Sequence, residues 1–476
     1  ADNHRTIAEA INRELWMPEK GYYAMYNYGR NYPILNPRAE TLGESLAIIY
    51  GIADMKRAKD ITENNPTTPF GVSIFFPQIA DIPPYHNNAL WPWVAAYWAI
   101  ANAKAGNETG TLEAIGSIFR PAALFATNKE NFVLDNGDIA TQLNSSNMLW
   151  CLAGNIAVTH KILFGINFEV DGLSFRPFVP KALAAKRSLT NFRYRDAVLD
   201  INISGSGNRI KSFRLNGKEH RPFIPATITG NNTIDIVMAD NRIPPMKVNH
   251  MANVKAPLTP IAWINEGALT WNPIEYIDHY VVLRNGERVA VTHETSYSMT
   301  DPGEYQVIGV NADGVESFAS EPRPLFGTIA LDLPGESIKF ESPEITYEPT
   351  SPISGYHGIG FVEIDHNSDA VELDVNVPDE GVYAVSVIYA NGNGPVHTEN
   401  KCAVRTLVVD GKNVGALVMP QRGEGKWSDW GRSSILRVPM TAGDHKLSIE
   451  MRPANENMNL KTNHALIDRV EVTRIK

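Results

Sequence analysis

The sequence predicts a multidomain chain: part of an α/α toroid, built from three helical hairpins, followed by all-β sandwich domains. Three observations carry this. Apolar residues recur at helical spacing up to residue 164 and alternate with period two beyond it. Long loops and short links take turns between the helices. Pro-rich stretches at 256–260 and 322–334 divide the strand region. The 476 residues correspond to about three domains at roughly 150 residues each. With 43% hydrophobic and 20% charged residues, the chain has the composition of ordinary globular domains.

The helical pattern gives six segments, at about 4–15, 40–54, 55–64, 87–105, 110–127 and 145–163. Long loops, "GYYAMYNYGRNYPILNPRAE", "TPFGVSIFFPQIADIPPYHNN" and "NKENFVLDNGDIATQLNSS", lead into the second, fourth and sixth. These three are also the more apolar, and a helix apolar nearly all round is buried on both sides. Buried helices entered by long loops, each paired with a peripheral helix, make a toroid of hairpins with the loops gathered at one end. A closed ring of this kind uses six hairpins, and residues 1–164 are expected to supply three. The chain, entering a helix without preamble, is expected to be less than the full gene product.

Beyond residue 165, "FEVDGLSFRPFVP", "RSLTNFRYRDAVLDINISGSG", "IKSFRLNGKEH" and "NTIDIVMAD" alternate as strands, giving a β-sandwich over 165–255. A separate unit at 256–328 contains "RNGE" between two alternating runs, a strong hairpin signal. Residues 332–476 are again strand and turn.

A net charge of −10 argues against nucleic acid as a partner. No apolar run is long enough for a membrane span. The two cysteines, Cys151 and Cys402, fall in different domains and have no metal-ligand spacing, so neither a disulfide nor a metal site is expected.

The stretches "NPRAETLGESLAIIYGIA", "YHNNALWPWVAAYWAIANAKAGN" and "ENFVLDNGD…NSSNMLWCLAG" resemble the second half of six-hairpin, (α/α)6-barrel glycosidases, the group of trehalases and α-glucosidases. The strands over 165–255 look like the β-sandwich that closes many such enzymes. Residues 257–325, with Trp271, Tyr280, Tyr305 and a closing "ESFASEP", resemble a fibronectin type III module. Residues 332–476, with "GYHGIGFVEI", "GVYAVSVIYANGNGP", "KWSDWGRSS" and "ALIDRVEVTRI", resemble a jelly-roll carbohydrate-binding module. Modules of that type often carry a structural calcium, although no compact acidic cluster here demands one.

The resemblance implies inverting hydrolysis of an α-linked glycan without a catalytic cofactor, in a secreted, periplasmic or cell-surface protein. Inverting enzymes hold two carboxyl groups about 6.5–9.5 Å apart, leaving room for water. By resemblance the general base comes from the loop entering the last inner helix, where the matching carboxylate is Glu130; a surface or capping Glu is the plain alternative. Asp135 and Asp138, beside Asn136 and Gly137, read as turn formers. The general acid of the resembled enzymes comes from the absent half. Glu40 is the substitute second carboxylate, although Glu40 and Glu44 equally suit a helix N-terminus, and Arg38 could pair with Glu40.

The polar knot Tyr85-His86-Asn87-Asn88 enters an inner helix and should face the mouth of the ring. Tyr85 and Trp91 could stack on a sugar, with His86, Asn87, Asn88 and Arg38 contacting hydroxyls; the alternative makes Asn87 or Asn88 an N-cap. Trp93 and Trp98 read as core. In the last module Trp427 and Trp430 could stack on sugars while Asn391, Asn393, Arg405 and Asn459 read hydroxyls, or one Trp could simply plug the fold. A rhamnosidase of the same ring shape and a non-catalytic carbohydrate-binding protein are the rival readings.

Overall fold

The computed structural model of the protein describes residues 2–28, 32–325, 328–333, 353–358, 360–364, 369–394, 402–456 and 463–475. The chain is mostly strand, arranged in several sheets, and its α-helices all lie before residue 158 among the described residues. They are α1 (Asp2–Glu14), α2 (Thr41–Ile49), α3 (Met55–Asn64), α4 (Pro92–Ala105), α5 (Glu108–Phe125) and α6 (Leu149–Ala157).

α4 is the hub, in contact with α2, α3, α5 and α6. Its alanines are small and helix-favouring, so neighbours approach closely while the helix persists. Gly154 of α6 belongs to that approach: a Cβ there would stand 2.9 Å from the Ala96 methyl. Gly106, at φ 86°, ends α4 in the left-handed conformation, and the Asn107 side chain opens α5 by accepting from Gly110 N–H. α4 thus packs against both α2 and α6. α6 buries only Cys151 and Gly154, and turns Leu149, Trp150, Leu152 and Ile156 to solvent.

Three helix boundaries differ from the sequence expectation: the second helix ends at Ile49, not near 54. The fourth helix starts at Pro92, not near 87, because Ala89–Leu90 pairs as a short antiparallel ladder with Phe132–Val133. Neither Asn87 nor Asn88 is the N-cap; Trp91 occupies that position and makes no capping bond. The sixth helix starts at Leu149 and widens into a π-turn over Val158–Leu163.

Strands 166–168, 172–175 and 223–225 form a sheet whose side chains share a core with a five-stranded sheet through Phe175, Leu199, Ile201, Ile234 and Ile236. Burial alternates along Ala197–Ser204, as a sheet with one wet face requires. The next unit packs a three-stranded sheet on a four-stranded one around Trp271, Tyr280, Val282 and Tyr305. Its hairpin turns at Asn285 (φ 54°) and Gly286 (φ 81°), the paired positive angles a tight two-residue turn needs. The last module packs two sheets around Val385, Leu407, Leu447 and Val470. Thr328–Asp332 pairs with Leu466–Arg474, so this module's first strand precedes residue 332.

Candidate functional site

Two loops meet beside the N-terminus of α4. The Ala89–Leu90/Phe132–Val133 ladder brings the loop before α4 against the loop before α6. That juxtaposition sets Glu130 beside Tyr85. The Glu130 carboxylate accepts from the Tyr85 hydroxyl at 3.1 Å through Oε1 and from Ser145 N–H at 3.1 Å through Oε2. It is 5% exposed. Partial burial, with the Glu130 carboxylate beside it, raises the Tyr85 phenol above its usual pKa.

Aromatic rings gather around Tyr85. Trp91 is buried, and its indole N–H donates to the Tyr85 carbonyl at 2.8 Å. His86 is exposed and stacks on Trp91, with centroids 5.3 Å apart and planes at 23°. Trp150 lies edge-on to Trp91 at 6.0 Å and stacks on Trp93 at 5.4 Å. Sequence reading missed Trp150, whose helical spacing looks like that of any amphipathic helix; only the packing of α6 on α4 brings it here. Trp98 is core, as expected, while Trp93 is half-buried within the aromatic group.

Asn87 behaves differently from its neighbours in the knot. Its amide donates to the Ile79 and Ile82 carbonyls at 3.0 Å each, and its oxygen accepts from Ile79 N–H at 2.7 Å. Those bonds commit it to holding the loop. Asp138 is a turn former, accepting from Ile139 N–H. Asp135 is not simply one: it accepts from Asn88 at 2.9 Å and Asn253 at 2.6 Å, with Lys255 at 3.5 Å. Burial works to raise its pKa, but these donors outweigh it and hold the carboxyl below the usual range.

Glu40 caps α2, accepting from Leu42 N–H at 3.3 Å and Gly43 N–H at 2.5 Å. Burial lifts its pKa against those two bonds. Glu44 is buried and accepts from Tyr23 N–H at 2.8 Å, while its second oxygen has no partner; burial drives its pKa well up. Arg38 does not pair with Glu40. Its guanidinium lies 3.7 Å over the Phe318 ring and donates to the Glu316 carbonyl at 3.3 Å. Burial lowers it to about 10. It therefore ties the helical region to the 256–328 unit.

In the last module Arg405 is fully buried, donating to the Ile364 carbonyl and to Asn463 Oδ1 at 3.0 Å. Asn391 and Asn393 are buried and bonded to each other at 2.6 Å. Trp427 is buried against Phe361, Ala390 and Leu466, as a plug would be. Trp430 is half-buried at the edge of that cluster and donates to the Ser354 carbonyl at 2.8 Å. Asn459 lies outside the described residues. Among the described residues, no group of three or more His, Cys, Asp or Glu could hold a metal ion, and no helix is long and apolar enough to cross a membrane.

A cleft of about 960 Å3 opens elsewhere, between Tyr28, Gln306, Tyr389 and Arg432. Among the described residues Glu321 is the one carboxylate in its lining.

No family model matches the chain. It is similar to the cycloisomaltooligosaccharide glucanotransferase of Niallia circulans, with 27% identity over 128 residues, or 25% of this chain and 12% of that protein. The match thus spans a small part of the relative's length. A solved cycloisomaltooligosaccharide glucanotransferase from Paenibacillus sp. is 28% identical over 25% of this chain and 15% of its own, with a TM-score of 0.21. A family 35 carbohydrate-binding module from Clostridium thermocellum is 19% identical over 31% of this chain and 97% of its own, with a TM-score of 0.22.

Proposed function

We propose that this chain is part of an extracytoplasmic carbohydrate-active enzyme that cleaves an α-linked glucan or related oligosaccharide. In this reading Glu130 is the general base of an inverting hydrolysis, and the C-terminal module holds the polymer. The carrying observation is the buried Glu130 carboxylate, held by the Ser145 N–H and by the hydroxyl of Tyr85, whose own ring packs with His86 and Trp91. A carboxylate with two fixed donors retains a lone pair for a water proton, and the rings suit the faces of a sugar. The similarity to a glucanotransferase supports a glucan as substrate. The paired three- and four-stranded sheets of 256–328 support a fibronectin-like spacer.

The outward row Leu149, Leu152 and Ile156 on α6 supports a further part of the toroid packing there, since soluble monomers avoid large apolar patches. Such a part would bring the general acid. Sedimentation of this chain as a stable monomer, with no helical partner, would count against it. The reaction is tested by proton NMR of the first product released from isomalto- and malto-oligosaccharides by the complete protein. Initial release of the β-anomer supports inversion, and release of the α-anomer removes Glu130 from the base role.

A second reading is favoured by Glu40. It caps α2 by accepting from Leu42 and Gly43 N–H, a purely structural role that leaves the second carboxyl unassigned. A non-catalytic carbohydrate-binding protein would show binding to these sugars without turnover.

A further inference from the structure

The peptide that leads from the second region into the 256–328 unit does more than connect. Asn249–His250 pairs in parallel with Pro66–Thr67, and Lys255–Ala256 with Gln78–Ile79, so it is fastened to the loops of the helical region at two points. Between those points stands Asn253. Its Nδ2 donates one proton to Asn88 Oδ1 at 2.7 Å and the other to Asp135 Oδ1 at 2.6 Å. Asn88 Nδ2 closes the triangle on Asp135 Oδ2 at 2.9 Å, and Lys255 Nζ stands 3.5 Å from the same oxygen.

The amide orientations are fixed by chemistry. An ionised Asp135 can only accept, so both asparagines must turn their NH2 groups toward it, which leaves Asn88 Oδ1 to accept from Asn253. Asn88 belongs to the loop that carries Tyr85, and Asp135 to the loop that carries Glu130. Asn88 sits at φ 52°, a left-handed conformation that asparagine tolerates, and its carbonyl accepts from Leu134 N–H at 3.0 Å. One side chain from a third segment therefore bonds the two loops whose meeting creates the Tyr85–Glu130 contact.

We propose that Asn253 is a positioning residue of the Glu130 site, clamping Asn88 to Asp135 so that Tyr85 and Glu130 meet. Its effect on turnover rests on the general-base reading of Glu130; its effect on the loops does not. Asn253→Asp sets a second carboxylate against Asp135 and removes both donated protons. Combining it with Asp135→Asn exchanges the two groups and restores one carboxylate facing two amides.

Hydrogen exchange of peptides covering 78–91 and 128–138 reads the clamp without any substrate. Asn253→Asp is expected to speed exchange in both peptides about tenfold or more, the effect of losing bonds to a charged group. The exchanged pair should return it toward the wild-type rate. In the complete enzyme kcat should fall by a similar factor with KM and Tm little changed, and recover in the exchanged pair; a merely structural residue would lower Tm without this selective loss of kcat. Asn253→Ala, which adds no charge, keeps the test open if the Asp variant fails to fold. Unchanged exchange in both single variants, or an exchanged pair as loose as Asn253→Asp, would overturn the clamp. If exchange follows the clamp while Glu130→Gln retains full activity, the clamp stands and the general-base reading fails.

Discussion

Glu130→Gln separates chemistry from packing at the proposed site. Glutamine keeps the shape, and its Oε1 can still accept from Ser145 N–H while its NH2 faces the Tyr85 oxygen. The folding cost is the difference between two charge-assisted and two neutral hydrogen bonds, about 1–3 kcal/mol in total. That corresponds to a fall in Tm of a few degrees for a region of this size. The chemical cost is larger, because the amide cannot take a proton from water. Loss of a general base removes about 10²–10⁴ in kcat, or roughly 3–5 kcal/mol of barrier. The Tyr85 phenol supplies a readout independent of turnover. Its pKa is raised by burial and by Glu130, so removing the carboxylate should lower it in a spectrophotometric titration. The assay uses the complete protein and an activated aryl α-glycoside, with azide added to test rescue by a nucleophile that needs no deprotonation. Activity within threefold of wild type would refute the base assignment. If Glu40→Gln abolished activity in the same assay, the chemistry would move to the entrance of α2.

In the last module, Trp427→Ala should destabilise by about 3–5 kcal/mol, since the ring is buried against Phe361 and Leu466. Trp430→Ala should cost less stability but weaken glycan binding; calorimetry and thermal melting separate the two effects. Glu44→Gln should raise stability at neutral pH. A buried carboxyl with a raised folded pKa loses stability as pH climbs above about 4.3, so the gain should vanish in melts below about pH 4. His445 is raised chiefly by its hydrogen bond to Asp410 at 2.7 Å, and Asp410 is lowered chiefly by the same bond. The histidine's contribution is present below about pH 6.5 and lost as pH rises through its raised value. The aspartate's is present above about pH 3.9 and lost as pH falls through its lowered value. The module should therefore be most stable between these limits, and Asp410→Asn should flatten the decline on the alkaline side.

Period and punctuation in the sequence were enough to show that helices give way to strands near residue 165, that Asn285-Gly286 makes a hairpin, and that α4 is buried on most sides. Each of these follows from neighbours along the chain: side-chain spacing sets which face is wet, and a two-residue turn needs positive φ at both positions. The knot before α4 lies where the loops before α4 and α6 pair. Its assignments were less even, because Asn87 and Asp135 look like any cap or turn residue until their partners are known. Asn87 spends its amide on Ile79 and Ile82, Arg38 reaches Phe318 nearly three hundred residues on, and Arg405 disappears into a core. Tertiary structure alone decided these, because a polar side chain follows the nearest unsatisfied group in space, and burial makes leaving that group unpaired expensive. For the same reason the resemblance named Glu130 and the knot named Tyr85, while only the fold supplied their contact, Ser145 and the clamp at Asn253.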